Sequence, residues 1–310
     1  MEKIYDILIV GGGPAGISAG IYAKRAGRDV AILEKFMPGG QLGLIGQIEN
    51  YAGFKSIDGN ELAMNFFSHA QSLNIPFIME EAKEFAKVDD LYKITTQGQI
   101  LFAKAIILAL GSHSKELNIQ GEKEYKGKGV SYCALCDGNF FKGKDVAVVG
   151  SGDSAFSDVE YLSNICNKVY LLTKDYLKVK NYAGDEFSDK TNVEVLKGAI
   201  SQKISGGMTV ESLEFLQDGT LKQVNVDGVF VAIGRSPDTK SLQGFVEMNE
   251  GGFVKTDDKM KTSLDGVYAC GDLREGSLRQ IATAVGDGAI AGTEASKYVL
   301  LYNYKHKNDK

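Results

Sequence analysis

Cys133-Ala134-Leu135-Cys136 is the segment of this chain best suited to covalent chemistry, because two residues between cysteines is the spacing that closes a small disulfide loop. A thiol of lowered pKa in such a loop is a nucleophile toward another disulfide. Asp137 follows at once, ahead of Gly138, and can exchange a proton with a departing thiolate. Three uses compete for the pair: redox exchange, half of a four-cysteine zinc site, and a structural link. Zinc is poorly served, because Cys166 and Cys270 form no second close pair and His69, His113 and His306 show no ligand spacing. No metal is expected, and Cys166 and Cys270 read as small buried hydrophobes. The redox use draws its main support from the elements around the pair.

The first of these is a glycine turn near the N-terminus. Ile7-Leu8-Ile9-Val10 is an all-apolar run of the kind buried in a parallel sheet. It leads into Gly11-Gly12-Gly13-Pro14-Ala15-Gly16, and a helix-like stretch follows to about Ala26. A second strand, Val30 to Leu33, ends at Glu34. Gly11 permits the turn, Gly13 lets a pyrophosphate approach the helix N-terminus, and Gly16 lets helix pack on strand. Glu34, 23 residues after Gly11 (34 minus 11), stands where a carboxylate accepts hydrogen bonds from an adenosine ribose.

A second copy begins at Val146-Ala147-Val148-Val149 and continues through Gly150, Gly152 and Ala155 to the strand Val169–Leu172. Ala155 replaces the third glycine, a change that touches only helix–strand packing. The copy reads as a second dinucleotide site, with Lys174 just beyond its strand, or as a decayed duplicate that only holds the fold. Two further apolar runs close on glycine, Ala105 to Gly111 and Val229 to Gly234, each fit to complete one unit. A last strand, Gly266 to Cys270, leads to Gly271-Asp272 and then to a helix from about Arg279. It has no partner domain of its own and is expected to return to the first.

The fold expected is therefore α/β, with two Rossmann-like three-layer nucleotide-binding domains, the second inserted into the first. The boundaries expected are 1–114 with 245–310 for the outer domain and 115–244 for the insert, which carries the cysteine pair. With 310 residues, 44% hydrophobic and 24% charged, the chain is long enough for two cores. A net charge of −5 argues against nucleic acid as the main partner. Apolar stretches are interrupted short of the roughly 20 residues that cross a bilayer, so no membrane role is expected. The opening MEKIYD lacks the pattern of a secretory signal, which makes the cytoplasm the expected setting.

Taken together, these residues resemble the low-molecular-weight bacterial thioredoxin reductases, from Tyr5 to about Leu300. The resemblance rests on Gly11 to Gly16, Gly39-Gly40-Gln41-Leu42, Glu49-Asn50-Tyr51 and Cys133 to Gly138. It continues in Val229 to Gly234, Thr256-Asp257, Cys270-Gly271-Asp272 and Arg279-Gln280. A cysteine pair just before the second glycine turn separates this family from the glutathione- and lipoamide-reductase relatives. The resemblance implies that Gly11, Gly13, Gly16 and Glu34 hold the pyrophosphate and ribose of FAD. Gln41 and Asn50 would line the flavin, Gly111 would border it, and Asp272, Arg279 and Gln280 would complete the site. Cys136 would face the flavin, Cys133 would attack the disulfide of thioredoxin or a thioredoxin-like protein, and Asp137 would be the acid/base. A homodimer is implied too, as is rotation of the insert about joints near 112–118 and 242–248.

The chain departs from the family after its second unit's strand. Members that use NADPH carry a histidine and several arginines there, where this chain has Thr173-Lys174-Asp175-Tyr176-Leu177-Lys178. Asp175, Asp185 and Glu186 oppose a 2′-phosphate, and Lys174, Lys178 and Lys180 offer charge without arginine's bidentate fork. Three donors stay open: NADPH, NADH and reduced ferredoxin. Survival of Gly150, Gly152 and Ala155 favours a nicotinamide. Other expectations in play are a reductase for a different protein disulfide and a flavin-bound redox sensor.

Overall fold

Strand β1, Ile4–Val10, sends alternate side chains to opposite faces, and both faces are buried. Ile7 and Ile9 join a core with Ile17, Ala19, Ala291 and Ala295. Leu8 and Val10 join another with Tyr92, Ile94, Leu101 and Leu273. Burial on two sides is why the run from Ile7 to Val10 contains no polar residue. The computed structural model describes residues 3–174 and 187–307.

The chain divides into two units, Met1–His113 with Ser236–Lys310, and Ser114–Arg235. In the first unit β1 leads through α1 (Pro14–Arg25) to β2 (Val30–Leu33), which pairs with it in parallel from Ile7↔Val30 to Val10↔Leu33. Helix α2 (Gly59–Ser72) starts where the Asp58 carboxylate accepts from the N–H groups of Asn60 and Glu61. It is followed by β3 (Phe77–Ile78), β4 (Glu84–Val88), β5 (Leu91–Thr95) and β6 (Ile100–Leu108). The sheet order is β3-β2-β1-β6-β5-β4, parallel up to β6 and antiparallel beyond it.

The inserted unit repeats the plan. It contains β7 (Val130–Ser131), α3 (Ala134–Asp137), β8 (Asp145–Val149), α4 (Asp153–Ser163), β9 (Lys168–Thr173) and β10 (Val193–Lys197). An antiparallel sheet of β11 (Ile200–Gly206), β12 (Val210–Gln217) and β13 (Thr220–Asn225) precedes β14 (Gly228–Val231). The parallel sheet runs β7-β14-β8-β9-β10. Val146, Val148 and Phe230 face α4, whereas Ala147, Val149, Val229 and Val231 pack with Ile204, Leu213 and Phe215 of the antiparallel layer. The inserted unit is thus three-layered, as expected. The antiparallel strands β4, β5 and β11 to β13 were not foreseen, because their burial is partial and their apolar residues do not form continuous runs.

The return to the first unit is β15 (Val267–Ala269), which pairs in parallel with β6 from Val267↔Ile106 to Ala269↔Leu108. It is followed by α5 (Ile281–Lys305). Small residues Ala284, Gly288, Ala291, Gly292 and Ala295 lie along α5, which packs on α1. The helix begins two residues later than expected. Arg279 takes a left-handed φ of 62°, and Gln280 caps the helix through a reciprocal box with Thr283. The second crossing also falls earlier than the expected 244/245. Residues 236–244 belong to the first unit, where Asp238 pairs with Lys35 at 2.7 Å and Leu242 is wholly buried beside Val246.

Candidate active site

The first glycine turn is shaped by close backbone approach. Gly11 has φ 111°, and a Cβ there would stand 2.2 Å from the Ala109 carbonyl oxygen. A Cβ on Gly16 would stand 1.9 Å from the Gly11 carbonyl oxygen, so only glycine lets α1 sit this close. Gly13 is different: the nearest atom to its Cβ position is the Gly40 Cα at 4.0 Å, which leaves the turn open at that point. Helix α1 starts from Gly13 without a side-chain cap and without an acid in its first turn. Its leading N–H groups therefore suit an anion. The Glu34 carboxylate spans the turn, accepting from Gly12 N–H at 2.6 Å and from Phe36 N–H at 2.8 Å. Each oxygen keeps a second lone pair for a ribose hydroxyl.

The other residues expected to line the flavin come together around this turn or around the start of α5. Gly39 N–H bonds to the Gly12 carbonyl at 2.8 Å, and the Gln41 amide donates to the Ser112 carbonyl, next to Gly111. Asn50 donates to the Gln280 side-chain oxygen at 3.1 Å. Asp272 lies in a 3₁₀ turn, Gly271–Leu273, whose first N–H bonds to Asp287. Asp287 in turn holds Arg274 through Nε at 2.6 Å and Nη2 at 3.2 Å. Arg279 lies over the Phe253 ring at 5.2 Å, and its buried Nε has no hydrogen-bond partner among the described residues. An open glycine, an uncapped helix start, a ribose-ready acid and an orphaned guanidinium nitrogen together fit a dinucleotide such as FAD.

In the second turn a Cβ on Gly150 would meet the Ala232 carbonyl oxygen at 2.3 Å, while Gly152 faces open space. Helix α4 has Gly152 as its uncapped start but carries Asp153 in its first turn. Ala155 is fully buried, and Lys174 is exposed just past β9. Asp175, Lys178, Lys180, Asp185 and Glu186 lie outside the described residues.

Cys133 and Cys136 are joined as a disulfide with their Cα atoms 5.3 Å apart. The pair is half-buried at the start of α3, directly after β7. Burial raises the pKa of the Asp137 carboxyl, and a hydrogen bond from Ser131 pulls the other way. That keeps a proton on Asp137 to a higher pH than an exposed aspartate holds one, which suits an acid/base beside a thiolate. Cys166 and Cys270 are both buried without disulfide partners. Burial pushes the Cys166 thiol up to about 11 and raises Cys270 as well, so neither is a nucleophile near neutral pH. Among the described residues no cluster of His, Cys, Asp and Glu is arranged to hold a metal. None of the described helices is long and apolar enough to cross a membrane.

Residues 5–288 match the pyridine nucleotide-disulphide oxidoreductase family. A thioredoxin reductase from Listeria innocua is 39% identical over 302 residues, covering 96% of this chain and 95% of the relative. The chain belongs to the thioredoxin reductase family. A solved thioredoxin reductase from Streptococcus pyogenes is 36% identical with a TM-score of 0.90, over 96% of this chain and 99% of that one. A ferredoxin-flavin thioredoxin reductase from Clostridium acetobutylicum is 31% identical with a TM-score of 0.54, over 98% and 100%. As a member of the thioredoxin reductase family, the chain is a flavin-dependent oxidoreductase of the pyridine nucleotide-disulphide class.

Two further residues of the inserted unit carry no signal in the sequence. Ser131 precedes the pair by two positions, where a lone serine has no distinguishing pattern. Asp158 sits in α4, one turn before Tyr161 and Leu162, the side chains a Cβ on Gly138 would meet. Burial pushes the Asp158 carboxyl up to about 7. Above the ordinary aspartate range the unfolded chain ionises here while the folded chain keeps its proton. Stability is therefore lost as pH rises toward 7. Asp158→Asn removes that loss, so its stability gain over the parent in urea unfolding should be larger at pH 8 than at pH 4. A gain of equal size at both would contradict the burial argument.

Proposed function

We propose that this chain is a thioredoxin-disulfide reductase in which Cys133, Cys136 and Asp137 carry the chemistry. The observation that supports it most is the Cys133–Cys136 disulfide with Asp137 as its next residue, in the unit that bears the second glycine turn. FAD, when bound, converts a two-electron donor's hydride into an electron pair for that disulfide. Gly11, Gly13, Gly16 and Glu34 bind its pyrophosphate and ribose, while Gln41, Asn50, Gly111, Asp272, Arg279 and Gln280 surround the flavin. Once the pair is reduced, a Cys133 thiolate attacks one sulfur of the thioredoxin disulfide, and the other partner sulfur leaves as thiolate. Cys136 then displaces the mixed disulfide, which restores Cys133–Cys136 and releases dithiol thioredoxin. Asp137 takes and returns the proton that accompanies each change at sulfur.

The donor enters through the second turn, where Gly150, Gly152, Ala155 and Lys174 form the nicotinamide-dinucleotide site. NADPH or NADH is the reading favoured by the open face of Gly152. A second reading, reduced ferredoxin, is favoured by Asp153 in the first turn of α4, where it opposes a pyrophosphate. We take the enzyme to work as a cytoplasmic homodimer.

Anaerobic titration of the yellow holoprotein with NADPH, NADH and reduced ferredoxin tests both readings. A nicotinamide is expected to bleach the flavin band, and oxidised thioredoxin is expected to restore it. Bleaching by ferredoxin alone would transfer the donor role. A protein that takes up no FAD would overturn the reading as a whole.

A further inference from the structure

Ser131 ends β7 and is 5% exposed, so its hydroxyl must find partners inside the protein. It lies 2.6 Å from Asp137 Oδ2 and 3.4 Å from the Cys133 carbonyl oxygen. A hydroxyl has one proton to give, and the shorter contact takes it. At 2.6 Å the bond has the length of a hydroxyl donating to a carboxylate. The same oxygen accepts from the Cys133 N–H at 3.1 Å. The Cys136 and Asp137 N–H groups return to the Cys133 carbonyl at 3.2 and 3.1 Å. One hydroxyl thus ties the acid at the end of the loop to the backbone of the cysteine at its start.

We propose that Ser131 is a positioning residue for the disulfide chemistry, orienting the Asp137 carboxyl relative to the cysteine loop. This rests on the reading of Asp137 as proton carrier. Burial favours protonated Asp137 and the Ser131 bond favours the ionised form, so the two effects oppose each other at one carboxyl. Loss of the hydroxyl leaves burial unopposed and moves ionisation to higher pH. Of the titratable side chains of α4, Tyr161 packs against Gly138, and Asp158 lies one turn before it. The turn Gly138–Phe141 and strand β14 contain none. Tyr132 gives its hydroxyl to Glu122 at 2.9 Å.

The test measures thioredoxin turnover by the holoenzyme across pH for Ser131→Ala, Ser131→Thr, Asp137→Asn and the double variant Ser131→Ala/Asp137→Asn. Ser131→Ala is expected to lower kcat about ten-fold, a fraction of what a proton carrier contributes. KM for thioredoxin should stay within about two-fold of the parent's. The limb of the kcat profile lost in Asp137→Asn should move to higher pH in Ser131→Ala and return in Ser131→Thr. Asp158→Asn made in each background checks that the limb does not belong to α4. In the Asp137→Asn background, Ser131→Ala should change kcat by less than about two-fold, because its effect acts through the missing carboxyl. If Ser131→Ala does not accumulate with FAD bound, Ser131→Gly makes the same comparison.

An unmoved limb, or losses that multiply in the double variant, would overturn the positioning role while leaving Asp137 in place. Full turnover in Asp137→Asn would overturn the proton-carrier reading, and this proposal with it.

Discussion

Cys136→Ser is expected to remove thioredoxin turnover, by at least about a thousand-fold in kcat, while FAD stays bound. The reason is covalent. Serine cannot form the disulfide seen between Cys133 and Cys136, so the electron pair has no acceptor on the protein. The lost step belongs to the chemistry alone, because the glycine turn and Glu34 lie in the other unit and are untouched. Flavin absorbance and the rate of flavin bleaching by the donor should therefore match the parent's. A second outcome separates the two sulfurs. With Cys133 left as a lone thiol, oxidised thioredoxin should accumulate as a mixed disulfide on it, visible on a non-reducing gel and cleared by dithiothreitol. Unchanged turnover would take the pair out of the mechanism.

Sequence alone revealed those features whose physical requirement falls on consecutive residues. Ile7 to Val10 and Val146 to Val149 are legible because a strand buried on both faces admits no polar residue. Gly11 and Gly16 are legible because a Cβ at either would strike a carbonyl oxygen. Individual side-chain pairings between residues far apart in sequence were not legible. Lys35 meets Asp238 across 203 positions, and that contact draws residues 236–244 into the first unit. Asn50 meets Gln280 across 230. Ser131 is close in sequence to Asp137, yet its role depends on the chain folding back through α3. Asp158 has no distinguishing pattern in the sequence, and only packing makes its carboxyl unusual.

The two glycine turns differ at their third position, and that difference makes the other large effect. Gly16→Ala should yield protein that binds FAD poorly or emerges colourless, with a lower melting temperature. An alanine inside a helix normally gains up to about 1 kcal/mol over glycine. Here the added Cβ would lie 1.9 Å from the Gly11 carbonyl oxygen and 3.3 Å from Ala109 Cβ. The first neighbour is backbone on the glycine turn and cannot rotate aside, so α1 must move off β1. Overpacking of this kind costs about 1–3 kcal/mol, which outweighs the helix propensity. The same shift drags the leading N–H groups of α1 away from the anion they suit, and the stabilisation that bound FAD lends to the fold is lost with it. In the second turn Ala155 already fills the corresponding place and is fully buried, so that helix stands far enough from its strand to carry a methyl group. Ala155→Gly should accordingly leave flavin content unchanged and cost about 1 kcal/mol in helix propensity and lost packing. Spectra of purified Gly16→Ala and Ala155→Gly, with melting curves before and after added FAD, check the contrast. Equal flavin content in both would mean that the close approach at Gly16 does not control cofactor binding.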